Sequence, residues 1–113
     1  MEKLDALFCD TCTANSTAAT EAEKALYLTE IPQWRMVTEN NILKLERAFS
    51  FKNFKDALCL TNKIGELAEN HQHHPMIILE WGKVTVHWWT HSIKGLHKND
   101  FIMAAKCNLL DKA

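Results

Sequence analysis

Met76-Ile77-Ile78-Leu79-Glu80-Trp81-Gly82-Lys83-Val84-Thr85-Val86-His87-Trp88-Trp89-Thr90 is the stretch whose reading decides the fold. Its two halves are rich in branched and aromatic side chains, which suit a pleated, half-buried surface. Gly82-Lys83 between them is a two-residue turn signal, so the stretch reads as an antiparallel hairpin of strands 76–81 and 83–90. Period two places Val84, Val86 and Trp88 on one face and Thr85, His87 and Trp89 on the other. With bulky residues on both sides of one strand, cover on both faces is expected there, a hint of self-association.

The hairpin also gathers chemistry at one end. Immediately before it runs Glu69-Asn70-His71-Gln72-His73-His74-Pro75, and just after it comes Thr90-His91. Imidazole is the one side chain whose ordinary pKa lies near physiological pH, so such clustering points to proton transfer or metal binding. Pro75 biases His74 away from helical geometry, fixing the corner from which both rings project. Antiparallel pairing returns the end of the second strand to the start of the first. His91 is therefore expected near His73 and His74 from the hairpin alone.

Upstream, residues 51–70 take helical spacing, with Phe54, Leu58, Thr61 and Gly65 along one line beside Ala57, Leu60, Ile64, Leu67 and Ala68. Gly65 costs helix stability, so it is expected to permit close packing. Before this helix, residues 33–38 and 42–49 read as a second hairpin turning at 39–41. Thr20 is an N-cap candidate, with Glu21 and Glu23 in the first turn of a short helix reaching about Thr29. Its expected core side is Ala22, Ala25, Leu26 and Leu28, and Pro32 ends it. Residues 1–19 are expected to be a loosely ordered leader to one domain over 20–113. Downstream, the loop 92–96 leads to a last helix with Phe101, Ile102, Ala104, Ala105 and Leu109 as apolar positions. Two hairpins with helices on one side make an α+β domain.

Composition narrows the function classes. A chain of 113 residues is one domain, and its net charge of −1 lacks the basic surplus of a phosphate-backbone binder. No direct nucleic-acid partner and no membrane span are expected. The amino terminus has no basic-then-apolar leader, so a cytoplasmic location is expected. There the four cysteines, Cys9, Cys12, Cys59 and Cys107, are expected as thiols. Cys59 and Cys107 read as buried helix residues. Cys9-x2-Cys12 is half of a zinc motif with no second half.

Glu69-x3-His73-His74-Pro75-x5-Trp81, followed by Val84, Thr90-His91, Gly95-Leu96 and Asp100, resembles the signature of the pterin-4a-carbinolamine dehydratases. Trp34, Leu45 and Phe51-Lys52-Asn53-Phe54 extend the resemblance upstream, and the wording is most similar to bacterial members. The resemblance implies a four-stranded antiparallel sheet with helices on one face. It also implies a hydro-lyase that removes water from 4a-hydroxytetrahydropterin, serving aromatic hydroxylases such as phenylalanine hydroxylase. No metal or organic cofactor is implied, and a homodimer or homotetramer is. Carried over by motif, His73, His74 and His91 are the catalytic histidines, with His73 and His91 as acid/base groups and His74 binding the pterin. Glu69, one turn before the pair, is expected to orient His73. Gln72, Pro75, Trp89, Thr90, Ser92 and Asp100 complete the expected binding or orienting set. Gln72 and Ile77 depart from the animal enzymes, which carry an acidic residue and a tryptophan there.

Plainer readings stand beside these. His71 reads as an exposed helix-end residue near a favourable dipole, and His87 and His97 as structural or exposed. Asp100 alternatively caps the last helix. The tryptophans are core or interface anchors more often than ring platforms. The competing function classes are a metal-binding protein using His71, His73, His74 and His91, with or without Cys9 and Cys12, and an interaction module, since animal relatives also serve as dimerisation partners of a transcription factor.

Overall fold

The computed structural model describes residues 3–7 and 17–111, so Cys9 and Cys12 lie outside the described residues. Strands β1 (Arg35–Glu39), β2 (Ile42–Ser50), β3 (Met76–Glu80) and β4 (Lys83–Trp88) form one antiparallel sheet in the order β1-β2-β4-β3. Helices α1 (Glu21–Leu28), α2 (Phe54–His71) and α3 (Lys98–Asp111) complete the α+β architecture. Among the described residues no helix is long and apolar enough to cross a membrane.

Each hairpin closes for a local reason. Asn40 and Asn41 adopt φ of 51° and 64° between the paired Glu39 and Ile42, the left-handed pair that matches strand twist and that Asn tolerates. At the β3–β4 turn, a Cβ on Gly82 would stand 2.9 Å from the Phe51 carbonyl oxygen. The Phe51 N–H donates back to the Gly82 carbonyl at 2.8 Å, so backbone contact itself excludes a side chain. Trp81 sits in this turn, 69% exposed, rather than in the strand. Beyond Trp88 the chain leaves the ladder, and Thr90 makes one isolated bridge to Gly95.

Asn53 caps α2 by accepting from the Asp56 N–H at 2.7 Å. Its buried stripe is Ala57, Leu60, Ile64 and Ala68, with 3-4-4 spacing, packed on β3 and β4. Burying Leu60 or Ile64 contributes about 1.5–3 kcal/mol each. Phe54, Leu58 and Cys59 fall off that stripe and are exposed, so the expectation of a buried Cys59 fails. Gly65 also differs: an added Cβ would meet nothing within 4 Å. It is not a close-packing position within this chain.

A capping box joins Thr20 and Glu23 at the start of α1. The side of α1 turned inward is Tyr27 and Leu28, continuing to Ile31, while Ala22, Ala25 and Leu26 are exposed. Tyr27 packs on Phe101 with centroids 5.2 Å apart. The larger apolar side chains outcompete the alanines for the core.

Helix α3 is buried on all sides from Asn99 to Ala105, and again at Cys107. Sheet residues cover one side. The turn Leu4–Ala6 packs on α3 from elsewhere, with Leu4 only 2% exposed and Lys106 Nζ donating to the Asp5 carbonyl at 2.8 Å. Residues 4–6 of the stretch expected to be loose are therefore docked. Leu109 lies beyond this cover and is exposed. Burial pushes the Cys107 thiol up to about 12.

Helices α2 and α3 cover the face carrying Leu45, Phe49, Val84, Val86 and Trp88. The opposite face carries Lys44, Glu46, His87 and Trp89 and has no second layer among the described residues. His87 is nonetheless 3% exposed, closed in by Glu46 at 2.8 Å and Glu39 at 3.7 Å.

Candidate active site

The histidine corner begins where α2 stops. Gln72 takes the left-handed conformation, with φ 51° and ψ 40°. Its N–H donates to the Glu69 carbonyl at 3.3 Å, and the His73 N–H donates to the Ala68 carbonyl at 3.1 Å. These paired bonds are the usual closure of a helix whose next residue is left-handed, a place where Gly is commoner than Gln. The Gln72 amide offsets part of that strain by donating to the Glu69 carbonyl at 2.7 Å. After this reversal the backbone is extended into Pro75, and consecutive side chains diverge.

His73 turns inward. It is 7% exposed, and its Nε2 meets Asp100 Oδ1 at 2.6 Å. Its ring stacks on Trp88 with centroids 5.7 Å apart and planes within 6°. Asp100 itself has no exposed surface and accepts three hydrogen bonds. Besides His73, Thr90 Oγ1 donates at 2.8 Å and the His97 N–H at 2.9 Å, both to Oδ2. A buried carboxylate is tolerated only when satisfied in this way. Asp100 thus serves the first turn of α3 and His73 at once.

His74 turns outward. Its Nε2 lies 2.5 Å from Glu69 Oε1, and both side chains are more than half exposed. Glu69 therefore meets His74 and not His73, whose acidic partner is Asp100. His91 completes the group from the far end of the hairpin. Its Nε2 lies 3.3 Å from the His74 carbonyl, which can only accept, so Nε2 is the donor in that contact. The His91 ring stacks on Trp89 at 4.5 Å and 29°.

Gln72, His73, His74, Thr90, His91 and Ser92 line one cleft of about 330 Å³, at the small end of the range for ligand sites. Six expected residues are thus brought together. Glu69, Asp100 and Trp89 do not line the cleft, but each touches a residue that does. Pro75 sets the corner. A wider groove along α2, past Thr61, Gly65 and Glu66, contains no histidine.

His71 stands apart at the end of α2. It is half-buried rather than exposed, and desolvation, then the charges of Lys106 and His73, hold its imidazole below the ordinary range. His97 is structural, its Nδ1 accepting from the Asn99 N–H at 3.0 Å. Among the described residues no group of three or more His, Cys, Asp or Glu is placed to hold a metal ion. Two contacts escaped the sequence reading: Trp88 behind His73, and Lys44 over the Trp89 ring. Strand alternation marks Trp88 as inward-facing, but nothing local announces that a histidine lies on it.

The family model for pterin 4 alpha carbinolamine dehydratase matches residues 16–110. The chain belongs to the pterin-4a-carbinolamine dehydratase family. Two bacterial proteins provisionally named pterin-4-alpha-carbinolamine dehydratases are similar to it over nearly their whole length. The one from Vibrio cholerae is 52% identical over 107 residues, covering 95% of this chain and 98% of the relative. The one from Marinobacter nauticus is 49% identical over 110 residues, covering 97% and 99%. A Brucella melitensis crystal structure described as a transcriptional coactivator/pterin dehydratase superposes with TM-score 0.76 at 28% identity, covering 84% of this chain and 99% of that one. A pterin dehydratase-like protein described as a RuBisCO assembly factor of the α-carboxysome shares the fold, with TM-score 0.61 at 17% identity over 72% and 92% of the two chains. The family is one of hydro-lyases.

Proposed function

We propose that this protein dehydrates 4a-hydroxytetrahydropterin to quinonoid dihydropterin by histidine acid/base catalysis. The observation that carries the reading is the buried His73 on the cleft wall, bonded to Asp100 behind it, with His74 and His91 beside it. In the reaction the C4a–O bond breaks and the C4a=N5 double bond forms. The hydroxyl gains a proton as it leaves as water, and N5 loses one.

His73 suits the acid role. Asp100 orients the ring through Nε2 and supplies a counter-charge when the ring carries its second proton. His91 suits the base role at N5, because a neutral ring that donates from Nε2 to the His74 carbonyl has its lone pair on Nδ1. His74, with Glu69 behind it, holds the pterin at the cleft mouth, and Gln72, Thr90 and Ser92 complete the lining.

The deciding experiment is stopped-flow dehydration of freshly generated 4a-hydroxytetrahydropterin in excess chelator, with and without protein. Acceleration that survives chelation supports the reading. A rate no faster than the spontaneous one sinks it, and acceleration lost with stoichiometric metal would transfer the site to the metal-binding class. The same reading carries supply of recycled tetrahydropterin to an aromatic hydroxylase such as phenylalanine hydroxylase, a cytoplasmic location, and a homodimer or homotetramer. Phe54 and Leu58, 45% and 40% exposed on the outer side of α2, support the assembly. Sedimentation equilibrium tests it, and a monomer at micromolar concentration would remove it.

A further inference from the structure

A lysine that almost vanishes from solvent on a face without a second layer calls for an explanation. Lys44 lies in β2 and is 7% exposed. Ammonium groups are strongly hydrated, and lysine is seldom buried without a partner. The β2–β4 register runs to Leu45↔Trp88, and one further step sets Lys44 opposite Trp89 on the uncovered face. There its Nζ lies 4.2 Å from the centre of the Trp89 ring and 3.4 Å from Glu39 Oε1. The indole thus attracts the cation through its electron-rich face, and Glu39 anchors it from the neighbouring strand.

The same indole supports His91. Residues two apart in an extended chain share a side, so His91 follows Trp89 on that face and stacks at 4.5 Å. His91 is exposed, stands at the head of the turn 91–94, and has, among the described residues, no carboxylate partner like that of His73. Its described contacts are the Trp89 ring and the 3.3 Å approach to the His74 carbonyl. The orientation of His91 therefore rests on a ring that is itself held from across the sheet.

We infer that Lys44 is a positioning residue for the reaction proposed above, acting through Trp89 to hold His91 toward the cleft. The inference rests on that reading of the site for its catalytic consequence, but its geometry can be tested without turnover. A stacked indole shields the ring protons of His91, so the carbon-bound imidazole resonances should appear upfield in a proton–carbon spectrum, assigned by their loss in His91→Gln. In Lys44→Gln and Lys44→Met, these resonances should move toward free-histidine positions while those of His73 stay in place. Lys44→Arg, which keeps a cation over the ring, should restore them. In stopped-flow assays kcat should fall about 3- to 10-fold in Lys44→Gln, with KM within about twofold, and recover in Lys44→Arg.

Unmoved His91 resonances in both neutral variants overturn the inference, whatever kcat does, since a rate loss alone would mark a merely structural lysine. Moved resonances with unchanged kcat overturn the catalytic consequence. A wild-type protein without dehydratase activity would defeat the proposed function, and the spectra would still decide whether Lys44 holds His91.

Discussion

Trp88 and Trp89 are consecutive residues that back two histidines from opposite faces of one sheet. Trp88 points under the helices and lies flat against His73, which is bonded to Asp100, a carboxylate that Thr90 also holds. Trp89 points to the uncovered face and lies against His91, which keeps its access to water. Strand alternation alone produces this division. It teaches that one hairpin end can present two imidazoles to a common cleft with different support: a dry ring tied to a multiply bonded carboxylate, and a wet one that is only stacked. The dry side is held by hydrogen bonds that are expensive to leave unmade, and the wet side by ring contacts that are individually weak.

The largest effect should come from breaking the dry side at its centre. In Asp100→Asn the amide oxygen can keep either His73 or the Thr90 and His97 donors, and its NH2 then faces the donors on the other side. The His73 ring also loses its counter-charge. Turnover should fall about 10²–10⁴-fold, and stability by about 1–3 kcal/mol, measured by stopped flow and by urea unfolding. If turnover stays within a few-fold, His73 is not the proton carrier. His91→Ala is the matching test on the wet side. It should also lower turnover about 10²–10⁴-fold, yet leave the unfolding midpoint nearly unchanged, because an exposed ring contributes little burial. A stability loss as large as that of Asp100→Asn would erase the contrast between the two sides.

His74 sharpens the comparison from the cleft mouth. His74→Ala should raise KM more than it lowers kcat, and Glu69→Gln should do the same to a lesser degree, since their contact is more than half exposed. A fall in kcat larger than the rise in KM would move His74 into the proton-transfer pair.

Much of this geometry was legible because it is short-range. The 76–90 hairpin and the return of His91 to the histidine corner follow from alternation and one glycine turn, although the turn residues are Trp81-Gly82 and not Gly82-Lys83, which shifts the register. The partner of His73 was less so. Nothing local shows that Gln72 adopts a left-handed conformation, and that single reversal sends His73 inward to Asp100 and leaves Glu69 to His74. The inward side of α1 was misread because a helix of eight residues offers two plausible faces, and only the distant Phe101 decides for Tyr27. Leu4 was unreadable for the same reason, its neighbour Asp5 meeting a lysine 101 residues away. Cys59 shows the limit of periodicity, which fixes spacing but not which edge of the stripe stays wet.

The smallest effect lies on the uncovered face, where charges do the work that helices do on the other. Burial alone would raise the Glu46 carboxyl, but hydrogen bonds from Arg35 and His87, with their charges, outweigh it and hold the group below the ordinary range. A carboxyl lowered on folding adds stability above its unfolded pKa, near 4.5, and that stability is lost as pH falls through the lowered folded value. Arg35→Gln removes one source of the lowering. Because Arg35 is 75% exposed, solvent screens the pair, and the expected loss is only about 0.2–1 kcal/mol near neutral pH. That loss should shrink as pH falls through the lowered folded value, and also in about 1 M salt. Urea unfolding of the two proteins in a series from near pH 7 into acid measures it. A difference that grows in acid would mean Arg35 supports the sheet by packing its stem and not by its charge. The uncovered face would then be held as the covered one is, and the contrast between the two sides would narrow to the histidines themselves.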